Sequence, residues 1–179
     1  MSHLALWQRS VALNKPHIVF EDDAFLRHDI KRQFVALVRQ PVDWDIILIG
    51  YNTDAAFELN VAPGMSLGGG FSLHYPTAQH LDDFVKSTNP VGLQRLLTAF
   101  GTSGYAVTPK GADFLIRACF PLDNRPVQIR STGRAFPSYG LDCMMNTLYD
   151  KMNAYVCVAP LVMTPNDHSQ STVQQPSTN

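Results

Sequence analysis

Apolar positions in the first fifty residues alternate between helical and strand patterns. In "SHLALWQRSVALN" they fall at Leu4, Leu6, Trp7, Val11 and Leu13, which predicts a helix capped by Ser2 and running to about Asn14, with Pro16 ending it. "HIVF", His17 to Phe20, is an apolar run of strand length. "AFLRHDIKRQFVALVRQ" returns to helical spacing, with Phe25, Leu26, Ile30, Phe34, Leu37 and Val38 apolar and Pro41 as the stop. "WDIILIG", Trp44 to Gly50, is a β-branched run closed by glycine and reads as a buried strand. Helix, strand, helix, strand is the order of an α/β sheet with parallel neighbours.

The pattern weakens from Tyr51 to Tyr75. Gly68, Gly69 and Gly70 lack both the Lys-Ser/Thr of a phosphate loop and the GxGxxG spacing, so a loop or irregular hairpin is the expectation rather than a phosphate cradle. "PVGLQRLLTAF" is a short amphipathic piece. Tyr105 to Thr108 predicts a strand, Pro109-Lys110-Gly111 a turn, and Ala112 to Cys119 a helix. "SYGLDCMMNTLYDKMN" predicts a further helix, and "AYVCVAPLVM" a last strand. The polar stretch after Thr164 is expected to be a disordered tail, leaving one domain over residues 1–164 and a tail over 165–179.

Composition narrows the class. With 45% hydrophobic and 16% charged residues, 179 residues suit one globular domain with a sizeable core. A net charge of −1, from 14 basic and 15 acidic residues, leaves no electrostatic footprint for nucleic acid. No apolar run is long enough for a transmembrane segment. Cys119, Cys143 and Cys157 form no CxxC pair, which predicts buried thiols in a reducing, cytoplasmic setting rather than a disulfide frame or a zinc site.

The chemistry concentrates in "PHIVFEDDAF". Glu21, Asp22 and Asp23 repel one another, and two arrangements would offset that. The acids could open the following helix, where its dipole favours them. Alternatively, Glu21 and Asp23, at i and i+2 of an extended segment, could aim together past a strand's carboxyl end, where α/β sheets bind ligands. Two hard oxygen ligands there suit Mg²⁺ or Mn²⁺.

"SHLALWQ", "IVFEDDA", "WDIILIG", "GTSGYAVTPKGADFLI", "YGLDCMMNTLY" and "VCVAPLV" occur in this order from Ser2 to about Ser171. Together they resemble glycosyltransferase family 25, which includes bacterial lipooligosaccharide galactosyltransferases and collagen galactosyltransferases. The resemblance implies a GT-A-like, Rossmann-type mixed sheet flanked by helices. It implies a UDP-sugar donor, usually UDP-galactose, a glycan or hydroxylysine acceptor, and Mn²⁺ or Mg²⁺. It places the DxD-like metal and diphosphate role on Glu21 and Asp23, with Asp22 beside the pocket, and a second acidic motif on Asp142. An inverting transfer needs a base for the acceptor hydroxyl, and Asp142 is the candidate, with Asp113 as runner-up. Gly101 and Thr102 are candidates for the sugar pocket, and His168 for a late residue that closes the metal site.

Proteins of that family carry a further N-terminal part before the "SH" segment, supplying a first strand and nucleoside-binding surface. The chain is therefore expected to behave as N-terminally truncated, with an exposed sheet edge that favours self-association. Two activities compete on this basis. One is a transferase of lipopolysaccharide-type glycan synthesis, cytoplasmic or peripheral at the inner membrane. The other is a non-catalytic relative that binds a glycan or a partner subunit. A metal-dependent phosphoesterase is a weaker third, because no second cluster of carboxylates and histidines is present for a two-metal site.

Overall fold

The computed structural model describes residues 2–123, 125–130, 133–138 and 140–166. The helices are α1 (His3–Leu13), α2 (Ile30–Val38), α3 (Ala78–Val85), α4 (Pro109–Cys119) and α5 (Leu141–Asn146). The strands are β1 (His17–Phe20), β2 (Phe25–Leu26), β3 (Ile46–Gly50), β4 (Phe57–Ala62), β5 (Met65–Gly69), β6 (Gly92–Thr98), β7 (Gly104–Val107), β8 (Pro126–Ile129), β9 (Arg134–Pro137), β10 (Ala154–Val158) and β11 (Val162–Met163). Nine of them form one mixed sheet in the order β1-β7-β3-β10-β6-β4-β5, with β11 and β2 added beside β3, while β8 and β9 form a separate hairpin. Helices packed on this mixed sheet give the expected Rossmann-like mixed α/β architecture.

The burial of β3 fixes the layers. Successive strand residues face opposite sides. Ile46 and Leu48 join a core with Trp7, Tyr105, Leu115, Met145 and Val156 under α1, α4 and α5. Ile47 and Ile49 join a second core with Leu37, Leu161 and Val162 beneath α2. The fully apolar run "IILI" is what a strand covered on both faces requires.

The expectation of parallel neighbours holds only in part. β3 does run parallel to β10, through Ile46 to Ala154 and Leu48 to Val156. β1 and β3, however, are separated by β7, which is antiparallel to both. Two strands that are consecutive in the periodic pattern thus point the same way without touching. "PVGLQRLLTAF" contains β6 because both of its edges find partners, β10 on one side and β4 on the other. The glycine-rich stretch contributes β5, the outer arm of a hairpin with β4.

The predicted helix over "AFLRHDIKRQ" begins late, at Ile30. Phe25 and Leu26 instead pair with Met163 and Val162. Arg27 is 1% exposed and holds both oxygens of Asp29 at 3.0 Å, and its main-chain N–H donates to Leu161 O. Burying that guanidinium demands this pairing, and the local period yields to it. The last predicted helix shortens to α5, and "AYVCVAPLVM" divides into β10 and β11.

β1 and β5 form the two ends of the sheet path, and Ile18 and Phe20 on β1 are 47% and 40% exposed. Cys119 and Cys157 are free, buried thiols, both pushed up to about 12 by burial, as inert core cysteines should be. Among the described residues, no helix is long and apolar enough to cross a membrane.

Trp7 fastens α1 to the sheet. It is fully buried, and its Nε1–H donates to the hydroxyl of Tyr105 at 2.9 Å, while His3 Nδ1 lies 2.8 Å from the same oxygen. Trp7→Phe removes one buried hydrogen bond and leaves a small void, each worth about 1 kcal/mol. The expected loss of about 2 kcal/mol lowers Tm by roughly 4–8 °C in a domain of this size, measurable by thermal circular dichroism.

Candidate active site

β1 and β3 end on either side of the start of β7, with Phe20 and Gly50 both in register with Gly104. The acidic segment follows directly. Glu21 N–H donates to Ser103 O at 3.2 Å, and Ala24 N–H donates back to Glu21 O at 3.3 Å, closing a turn over Asp22 and Asp23. The acids therefore open no helix, since α2 begins only at Ile30. The helix dipole does not offset their repulsion. Nor does an extended segment align Glu21 with Asp23, because the chain turns between them.

The β6–β7 connection forms the opposite wall. Thr102 is buried, and its hydroxyl donates to Glu21 Oε1 at 2.5 Å. Gly101 has φ +83°, and a Cβ there would lie 2.2 Å from Asn52 Oδ1, so only glycine fits. Gly101 N–H donates to Asp142 Oδ2 at 3.1 Å, and Asp142 Oδ1 accepts from Cys143 N–H at 2.8 Å. Asp142 thus lies in the first turn of α5, tied to the loop that carries Thr102. Four candidates from distant parts of the sequence, Glu21, Gly101, Thr102 and Asp142, share one site past the carboxyl ends of β1 and β3.

Its electrostatics are those of crowded acids. Burial pushes the Glu21 carboxyl above its ordinary value; the Thr102 hydroxyl opposes this, and the charges of Asp23, Asp142 and Asp22 add to it. Burial and Asp22 also raise Asp23, although a main-chain hydrogen bond pulls the other way. Among the described residues, no three His, Cys, Asp or Glu side chains converge as a ready ligand set. The acidic groups of the site are Glu21 with the like charges of Asp23, Asp142 and Asp22 acting on it.

The remaining candidates lie elsewhere. Asp113 is on α4, paired with Arg117 at 2.7 Å, and its partner is not part of the acidic site. His168 lies outside the described residues. Two site residues escaped the sequence reading. Asn52 packs on Gly101 and donates its main-chain N–H to Phe100 O. Asn146, buried one helical turn after Asp142, accepts from Ala99 N–H at 3.0 Å and donates to Ala99 O at 2.8 Å. A polar residue within the Met144–Met145 apolar stripe was the available signal for Asn146. For Asn52 it was a position just past a strand end.

A family model described as glycosyltransferase family 25 (LPS biosynthesis protein) matches residues 1–127, well over half of the chain. The chain belongs to glycosyltransferase family 25. No curated protein matches it at a significant level. The matched segment of this family 25 protein carries Glu21, Gly101 and Thr102, while Asp142 lies beyond it. Family membership assigns glycosyl transfer in general and a role in lipopolysaccharide synthesis.

Proposed function

We propose that this protein transfers a hexose, galactose by resemblance, from a UDP-sugar to a glycan hydroxyl, using a divalent cation. The observation that carries the reading is the convergence of Glu21, Thr102, Gly101 and Asp142 past the ends of β1 and β3. Open α/β sheets bind ligands at that place.

The donor set suits the proposed ion. Mg²⁺-like cations use one or two carboxylates and complete their shell with water and substrate phosphates. Glu21 and Asp23 would hold it. When bound, the ion would neutralise charge on the departing diphosphate. Thr102 holds the Glu21 carboxylate in place through its hydroxyl. Asp142 is the proposed base. Each of its oxygens takes one main-chain N–H, which fixes the carboxylate's direction and leaves lone pairs to accept the acceptor hydroxyl's proton.

Calorimetric titration of UDP with and without Mn²⁺ tests the donor site, and binding is expected only with the metal. Asp142→Asn should retain that binding and lose about 10²–10⁴-fold in sugar transfer. Unchanged transfer in Asp142→Asn would remove the base role. Absence of UDP binding in a folded sample would instead favour the non-catalytic glycan-binding alternative.

A further inference from the structure

The β8–β9 hairpin has Arg125 at its entry and Arg130 and Arg134 at its turn end, and no acidic residue occurs from Asn124 to Gly140 in a chain of net charge −1. Beside this basic hairpin lies a cavity of about 590 Å³, bounded by α4, β8 and α5. It meets a second cavity of about 330 Å³, reaching the β4–β5 turn, and both are lined by Leu97, Arg130 and Asp150. The joined groove falls in the size range of small-molecule sites.

Two of its cations are bonded to main-chain oxygens, and Arg95 also lies over the Tyr155 ring, 5.3 Å from its centroid. Lys151 donates to Thr147 O at 2.8 Å, and Arg95 donates to Met152 O and Ala154 O at 3.0 and 3.3 Å. Arg125 is paired with Asp123 at 2.7 Å, and Arg130 approaches Glu58 at 3.5 Å. Asp150 is the acid on the lining itself. Planar amides supplement these charges, from Asn60 and Gln128. Cations, planar amides and an apolar floor at Leu97 and Met144 form a surface for sugar rings bearing anionic groups.

Asn146 connects this groove to the acidic site. It lines the cavity while clamping Ala99, two residues before Gly101. Asp142 lies one turn earlier on α5, about 6 Å along the helix axis. A ligand in the groove shares α5 and the β6–β7 connection with the proposed base.

We propose that this groove binds the acceptor glycan through a phosphate or carboxylate on its sugar units. The assignment of the occupant as acceptor rests on the transferase reading. The test uses lipid-free core oligosaccharide of lipopolysaccharide in three forms: native, dephosphorylated and carboxyl-reduced. Calorimetry against the full chain should show binding to the native form, weakened about tenfold or more by removing the recognised anion. The form that loses affinity identifies the anion. Lys151→Gln and Arg130→Gln should each weaken native-form binding and leave UDP binding unchanged. Arg130 also faces the buried Glu58, whereas Lys151 is exposed, so Lys151→Gln keeps the test independent of folding.

Equal affinity for all three oligosaccharides, or unaltered affinity in both variants, would overturn the groove assignment whatever UDP does. Loss of UDP binding by the unaltered protein would overturn the transferase reading, and the oligosaccharide series would still decide whether the groove binds anionic glycan.

Discussion

Glu21→Gln should abolish most sugar transfer and at the same time raise the melting temperature of the metal-free protein at pH 7. The first effect follows from the proposed role. Removing one of two anionic ligands should cost about 100-fold or more in turnover, the scale seen when a charge-stabilising group is lost. Asp23→Asn should do the same, and full activity in either variant would remove the metal role. The second effect follows from the environment already described. Burial and the charges of Asp23, Asp142 and Asp22 raise the Glu21 carboxyl above its ordinary value of 4.5. An acid raised on folding holds its proton more tightly in the folded than in the unfolded chain. Its ionisation therefore lowers stability as pH rises through the folded value, and the loss disappears below the unfolded value. Glutamine keeps the shape, and its Oε1 still accepts from Thr102, but it carries no charge. The variant should melt higher at pH 7, with the gap closing below about pH 4.5. Melting curves across pH decide this, and identical curves at pH 7 would show that the acids are not in conflict.

Gly101→Ala should be the most disruptive single methyl in the site. The backbone is left-handed at φ +83°, which costs an L-residue about 1–2 kcal/mol. The new Cβ would also lie 2.2 Å from Asn52 Oδ1 and 2.9 Å from Asn52 N. Either the Asn52 side chain leaves or the loop lifts, carrying Thr102 from Glu21 and the Gly101 N–H from Asp142. Together these amount to about 3 kcal/mol, or roughly 10 °C in Tm. UDP binding should weaken with it. Adding Asn52→Ala should restore part of the stability by removing the side-chain clash, leaving the cost of the positive φ. Normal stability in Gly101→Ala would show that the loop has room to shift.

The sequence was most legible where burial is two-sided or a helix has clear stops. "IILIG" declared β3 because both faces are covered, and Pro16 bounded α1. Legibility failed where a distant partner decides the conformation. Phe25 and Leu26 continue a helical period, but β11, more than a hundred residues later, takes them as a strand. β6 is amphipathic in sequence and becomes a strand because β10 and β4 flank it. The hairpin of β8 and β9 carries no strong local period at all. The site divides in the same way. Glu21, Asp22 and Asp23 stood out by residue type, and Gly101, Thr102 and Asp142 through the family resemblance, whereas the turn over Asp22–Asp23 and the Asn146 clamp arise only from tertiary contacts.

The place of β10 has a consequence for how this chain comes off the ribosome. β10 lies between β3 and β6, and the main-chain N–H of Asn153, at its entry, bonds to Asp45 across a separation of 108 residues. Until β10 emerges, β3 and β6 each hold an unpaired inner flank, and the segment matched by the family model, residues 1–127, ends before it. The nascent N-terminal portion must therefore wait with apolar strands unjoined, a topology of high contact order that folds slowly and offers open edges to other chains. Synthesis of this protein should thus depend on protection during translation, and nascent chains arrested before Ala154 should be far more protease-sensitive than the released product.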